Sequence, residues 1–131
     1  MTGIGDRVHF LGSRGDVPAI LKELDLFVFS SRHEGLPLAA VEALIVGVPM
    51  LVSDIGPLLE VIGVGTSDGP CGEKFVTGDA KDLAEKLEVL MEDKDMRRAL
   101  SEKARLVTPK TFSIDAHIAA LKSLYQKICG F

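Results

Sequence analysis

Glu42 is the carboxylate whose surroundings suggest chemistry, and Glu34 precedes it in the same stretch. They lie in the stretch Ser30-Ser31-Arg32-His33-Glu34-Gly35-Leu36-Pro37-Leu38-Ala39-Ala40-Val41-Glu42. The apolar run Leu26-Phe27-Val28-Phe29 precedes it, and Gly47 and Pro49 punctuate its far end. That order reads as a strand, a polar turn and a helix to about Val46, with Pro37 near the first helical position, where proline is favoured. In parallel α/β sheets ligands bind beyond the carboxyl ends of strands. A helix N-terminus placed there offers unpaired N–H groups and partial positive charge to an anion such as phosphate.

On such a helix Glu42 has Leu38, Ala39, Ile45 and Val46 as its surface neighbours. A carboxylate set in an apolar face is costly unless it is paired. A glutamate at the rim of that face, or one held by an internal Arg or Lys, accounts for the spacing as well as a binding role does. Ser30 and Ser31 fit hydrogen bonding to the turn or to a phosphate better than nucleophilic attack, because no Ser, His and Asp arrangement reads as a triad. His33 can touch a substrate or simply be solvated. His9, His33 and His117 have no metal-ligand spacing, so no metal site is expected.

The remaining elements must position this stretch. Arg7 to Leu11 is a first strand candidate, followed by the polar loop Gly12 to Asp16. Asp16 is a candidate N-cap, with Pro18 in the first turn of a helix through Leu24. The strand at Leu26 to Phe29 reads as buried on both faces, and Met50-Leu51-Val52 as the next strand. Leu58 to Ile62 suggests one helical turn, Gly63 to Pro70 a surface connection and Glu73 to Val76 a weak strand. Asp79 caps a helix whose apolar stripe is Leu83, Leu87, Leu90 and Met91. Asp93 or Asp95 starts another, which Pro109 is expected to break. Ser113 caps the last, with Ile114, Ile118, Leu121, Tyr125 and Ile128 on one face. Strand and helix alternate, which is the pattern of a parallel sheet with crossover helices.

The bulk properties agree with this and exclude several classes. The chain has 131 residues, 47% hydrophobic and 26% charged, enough for one domain (residues 1–131). A net charge of −4 argues against a nucleic-acid partner. Cys71 and Cys129 are solitary and read as reduced thiols of a cytoplasmic protein. No apolar run approaches the roughly 20 residues of a membrane span.

The run from Val28 to Ile62 resembles the family-four retaining glycosyltransferases, the "group 1" family. Phe29-Ser30-Ser31-Arg32-His33-Glu34-Gly35-Leu36-Pro37-Leu38 is similar to the family's Pro-Ser-x-x-Glu-Gly-x-Pro-Leu. Glu42 to Gly56 is similar to Glu-Ala-Met-Ala-x-Gly-x-Pro-Val-Val-x-Ser-Asp-x-Gly, and Glu60-Val61-Ile62 continues it. Pro57 and Leu59 depart from the usual glycine and proline.

The resemblance implies an α/β fold, a Rossmann-like parallel sheet with flanking helices, as the C-terminal donor-binding half of a two-domain GT-B enzyme. It implies a nucleotide-diphosphate sugar such as a UDP- or GDP-sugar as donor, hexosyl transfer with retention, no metal and no cofactor. Glu34 becomes the catalytic candidate, touching hydroxyls of the donor sugar. Glu42 accepts from the ribose hydroxyls. Ser31, His33, Gly35, Leu36, Leu38 and Ala39 complete the donor site, the last four through backbone N–H groups. The acceptor, whether a glycan, a lipid-linked sugar or a small molecule, is not named by these residues.

The family's Gly-Arg…Lys-Gly segment, which holds the diphosphate, and the strand and helix after it have no counterpart before Gly3. The expectation is therefore a partial domain lacking its first strands, inactive alone, and able to form a homodimer through exposed sheet edges. Its parent is expected in the cytoplasm or at the inner membrane surface. A non-catalytic nucleotide-sugar binding module and a flavodoxin-like interaction domain are the alternatives.

Overall fold

The computed structural model describes residues 3–130. Its sheet has three parallel strands in the order β1 (Phe27–Phe29), β2 (Met50–Ser53) and β3 (Glu73–Phe75). Phe27 lies opposite Met50, and Leu51 opposite Glu73. The connections carry α2 (Leu38–Val46) from β1 to β2 and α3 (Gly56–Val61) from β2 to β3. Helix α1 (Val17–Lys22) precedes the sheet, and α4 (Ala80–Glu92), α5 (Lys94–Thr111) and α6 (Ile114–Cys129) follow it.

The period of two along β2 builds the core. Met50 and Val52 join a cluster with Leu21, Leu44, Leu58 and Ile62, while Leu51 joins Phe75, Leu90 and Leu100 in a second cluster. A strand sandwiched between two helical layers must be apolar on both faces, and all four residues of β2 are buried. Phe27 and Phe29 stack with ring centroids 5.8 Å apart against the first cluster.

Helix ends follow local chemistry. The Asp79 carboxylate accepts from the N–H groups of Lys81 and Asp82, Asp93 from Met96, and the Ser113 hydroxyl from Ala116. Gly47, at φ +79°, ends α2 in the left-handed conformation, and the Arg105 side chain lies where a Cβ would stand.

Several expectations are corrected. Val8 to Leu11 forms no strand: a 3-10 turn spans Gly5–Arg7, and the apolar residues after it are exposed, Phe10 at 96%. A strand needs a ladder partner, and this segment pairs with nothing among the described residues. β1 is consequently an edge, half-buried, with Val28 exposed on one face. Asp16 stands at the N-cap of α1, yet its carboxylate binds the Arg14 guanidinium at 2.6 and 2.8 Å instead of the helix. α5 runs through Pro109 to Thr111. So close to the helix end, the proline removes only the bond to the Arg105 carbonyl, and burial of Ala104 and Thr108 holds that turn in place. The apolar face of α6 is exposed along its length, and no residue of the helix is buried.

Candidate functional site

β1 delivers the chain to the carboxyl edge of the sheet, and residues 30–37 carry it into α2. Proline 37 is the N-cap, one position earlier than expected, and is buried. Its carbonyl accepts from the N–H groups of Ala40 and Val41. The Leu38 N–H donates to the Leu36 carbonyl at 2.9 Å. Of the expected backbone donors, this engages Leu38 and leaves the N–H groups of Gly35, Leu36 and Ala39 without a protein acceptor among the described residues. The Ala39 N–H, in the first turn of α2, lies at the positive end of the helix dipole, while those of Gly35 and Leu36 belong to the loop before it.

The candidate residues differ in exposure. Ser31 and Glu34 are half-buried, while His33, Gly35, Leu36, Leu38, Ala39 and Glu42 are exposed. Neither Glu34 nor Glu42 makes an ion pair or side-chain hydrogen bond among the described residues. The cost expected for Glu42 does not arise, because Leu38 and Ile45 beside it are 61% and 53% exposed. Both carboxylates are thus free acceptors flanking a helix start with free N–H donors. A groove of about 480 Å³ adjoins the start of α2, between Leu36, Leu38 and Val41 on one side and Phe112, Ile114 and His117 on the other. A larger hollow of about 750 Å³ lies at the other end of α2, lined by Gly47, Pro49 and Arg105, and touches none of these residues.

Two residues to which the sequence assigned no role shape the edge. The Ser53 hydroxyl, fully buried at the end of β2, donates to the Ser31 carbonyl and lies 3.4 Å from that of Phe29. The Asp54 carboxylate accepts from the N–H and hydroxyl of Thr77 at 2.8 and 2.6 Å. These bonds hold its pKa below the ordinary carboxylate value. Arg32 reaches the same edge, with Nη2 4.0 Å from where a Cβ on Gly78 would be. Among the described residues, no group of three or more His, Cys, Asp or Glu is placed to hold a metal, and no helix is long and apolar enough to cross a membrane.

Comparison with known proteins places this surface in context. The family model described as "Glycosyl transferases group 1" matches residues 1–107. The lipopolysaccharide core biosynthesis mannosyltransferase LpsB of Rhizobium meliloti is 29% identical over 126 residues, covering 96% of this chain and 35% of that protein. An N,N'-diacetylbacillosaminyl-diphospho-undecaprenol alpha-1,3-N-acetylgalactosaminyltransferase of Campylobacter jejuni is 38% identical over 97 residues, 74% of this chain and 25% of that protein. Among solved structures, Anabaena Alr3699/HepE in complex with UDP superposes with a TM-score of 0.79 at 26% identity, over 92% of this chain and 33% of that one. The chain spans about a third or less of these proteins.

Proposed function

Because the chain belongs to the glycosyl transferases group 1 family, we propose that it is the donor-binding portion of a retaining family-four glycosyltransferase of GT-B architecture. Its donor is a nucleotide-diphosphate sugar, and its parent transfers a hexosyl group to a glycan, a lipid-linked sugar or a small molecule. The observation that carries this is the loop from β1 into α2, where free N–H groups at Gly35, Leu36 and Ala39 lie between two unpaired carboxylates. The UDP complex of the Anabaena neighbour supports a uridine nucleotide as the first probe.

The roles follow from donor and acceptor chemistry. The exposed Glu42 carboxylate accepts from paired ribose hydroxyls, and the N–H groups and helix dipole receive the diphosphate. Glu34, half-buried beside them, accepts from sugar hydroxyls and is the catalytic candidate. Ser31 and His33 border the sugar side. No cofactor or metal is required, since positive groups and oriented N–H dipoles can stabilise the leaving diphosphate. The parent works in the cytoplasm or at the inner membrane surface.

Each ribose hydroxyl donating to an ionised carboxylate contributes about 1.5–3 kcal/mol. Glu42→Ala should therefore weaken UDP or GDP binding about tenfold or more in the longer parent protein, as calorimetry would show. Glu34→Ala should weaken sugar-bearing donors more than bare nucleotides. Equal affinities for wild type and Glu42→Ala would remove the assigned role. The 131-residue chain alone is expected to transfer no sugar at a useful rate, because positioning and charge stabilisation supply most of such a barrier reduction. Steady transfer by the purified chain would contradict this, whereas tight donor binding without transfer by the parent would favour a non-catalytic module.

A further inference from the structure

The ladder between β1 and β2 ends at the pair Phe29 and Val52. Beyond it, residues 30–35 make no backbone hydrogen bond to the rest of the protein among the described residues. Six residues, including Glu34 and the free Gly35 N–H, would therefore hang between the end of the ladder and the start of α2. One bond interrupts that span. The Ser53 hydroxyl, at 0% exposure, donates to the Ser31 carbonyl. A hydroxyl has one proton to give, and the 3.4 Å approach to the Phe29 carbonyl is the weaker arm.

We infer that Ser53 is a positioning residue of the donor site: its buried hydroxyl fixes the Ser31 carbonyl, and through it the placement of Glu34 and the Gly35 N–H. The inference deepens the donor-site reading and rests on it. The next residue strengthens the argument. Asp54 holds the Thr77 backbone and hydroxyl, so the end of the central strand fixes the loops after both of its neighbours. The Ser53 hydroxyl reaches the backbone of Ser31 and no candidate side chain, so it acts only through the backbone of the loop. The loss of this bond leaves the Ser31 carbonyl unpartnered and half-buried, and the loop regains conformations that misplace Glu34.

The test uses the full chain for dynamics and the longer parent protein for binding. Backbone 15N relaxation is measured for wild type, Ser53→Ala and Ser53→Thr, with UDP-glucose and UDP binding measured by calorimetry. In Ser53→Ala, order parameters from Arg32 to Leu36 should fall toward about 0.6, while those of Leu51 and Val52 in β2 stay near about 0.85. UDP-glucose affinity should fall by about three- to tenfold, and that for UDP by less. Ser53→Thr keeps the hydroxyl and should restore both readouts wherever its thermal melt matches wild type. Unchanged order parameters in the loop, an equal fall across β2, or an unchanged UDP-glucose affinity would overturn the inference, the second result marking a merely structural serine. Should the wild-type parent bind neither compound, the donor-site reading fails at that step, and the relaxation data still decide whether Ser53 fixes the loop.

Discussion

Asp54 shows how one side chain at the sheet edge turns geometry into a pH dependence. Its carboxylate accepts two bonds from Thr77, and its pKa lies below the ordinary 3.8. A carboxyl with a depressed folded-state pKa contributes stability that is complete above the unfolded value and is lost as pH falls through the folded one. The attachment of the Thr77 loop should therefore be constant from neutrality down to about pH 4 and weaken only below that. Asp54→Asn should flatten this acid limb in melts recorded between roughly pH 5 and 2, and an unchanged limb would assign the acid response to other carboxyls. Cys71 offers a second residue-scale test. Burial pushes its thiol up, and its Sγ lies 3.4 Å from the Ile62 carbonyl, whereas Cys129 is exposed. A disulfide reagent at neutral pH should titrate Cys129 quickly and Cys71 only on unfolding.

Helix α5 carries the clearest element-scale consequence. It lies against α2, and the Ser101 hydroxyl donates to the Gly47 carbonyl at 2.6 Å. Within the packed stretch, Thr108 is 1% exposed and its Oγ1 has no partner among the described residues. An unsatisfied buried hydroxyl costs about 1–3 kcal/mol, and an apolar group of the same shape avoids that cost. Thr108→Val should raise the urea midpoint by an equivalent of about 1 kcal/mol or more, and a lowered midpoint would show that the hydroxyl is satisfied in solution. Elements of this kind were legible in the sequence where local chemistry decides them. The caps at Asp79 and Ser113, the stop at Gly47 and the apolar strand at Met50 are legible from neighbouring residues, and of the two candidates Asp93 and Asp95 the structure places Asp93 at the cap. The Val8 to Leu11 strand was misread, because apolar alternation states a preference while a ladder needs a neighbour. Pro109 was misread because burial of Ala104 and Thr108 outweighs one lost bond. The run Ser31 to Glu42 was legible as the connection from a strand into a helix, from the apolar residues before it and Pro37 within it. The role of Ser53 was not, since a bond between residues 22 apart in sequence leaves no local pattern.

At the scale of the molecule, apolar surface stays open on β1 and α6, besides the segment Val8 to Leu11. β1 is a sheet edge with Val28 exposed, and α6 exposes Ile114, Ile118, Leu121, Tyr125 and Ile128. Unprotected edges template strand pairing, and an apolar helix stripe seeks a partner. The chain should associate as its concentration rises, which light scattering would report. Val28→Lys should suppress that association if the sheet edge mediates it, and Ile118→Glu if α6 does. A strictly monomeric chain with a cooperative melt would show that neither surface pairs. The contact of α5 on α2 has another consequence, which concerns time during synthesis. The apolar side of α2 is complete once Val46 has been made, yet the helix that covers it ends only at Thr111, roughly 65 residues later. At about 5–20 residues per second, Leu44 and its neighbours wait about 3–13 s for their cover. During that interval the nascent chain presents to the cell the same apolar surface that the finished molecule hides. A chaperone that grips short apolar segments should therefore engage this chain on the ribosome and release it when α5 docks.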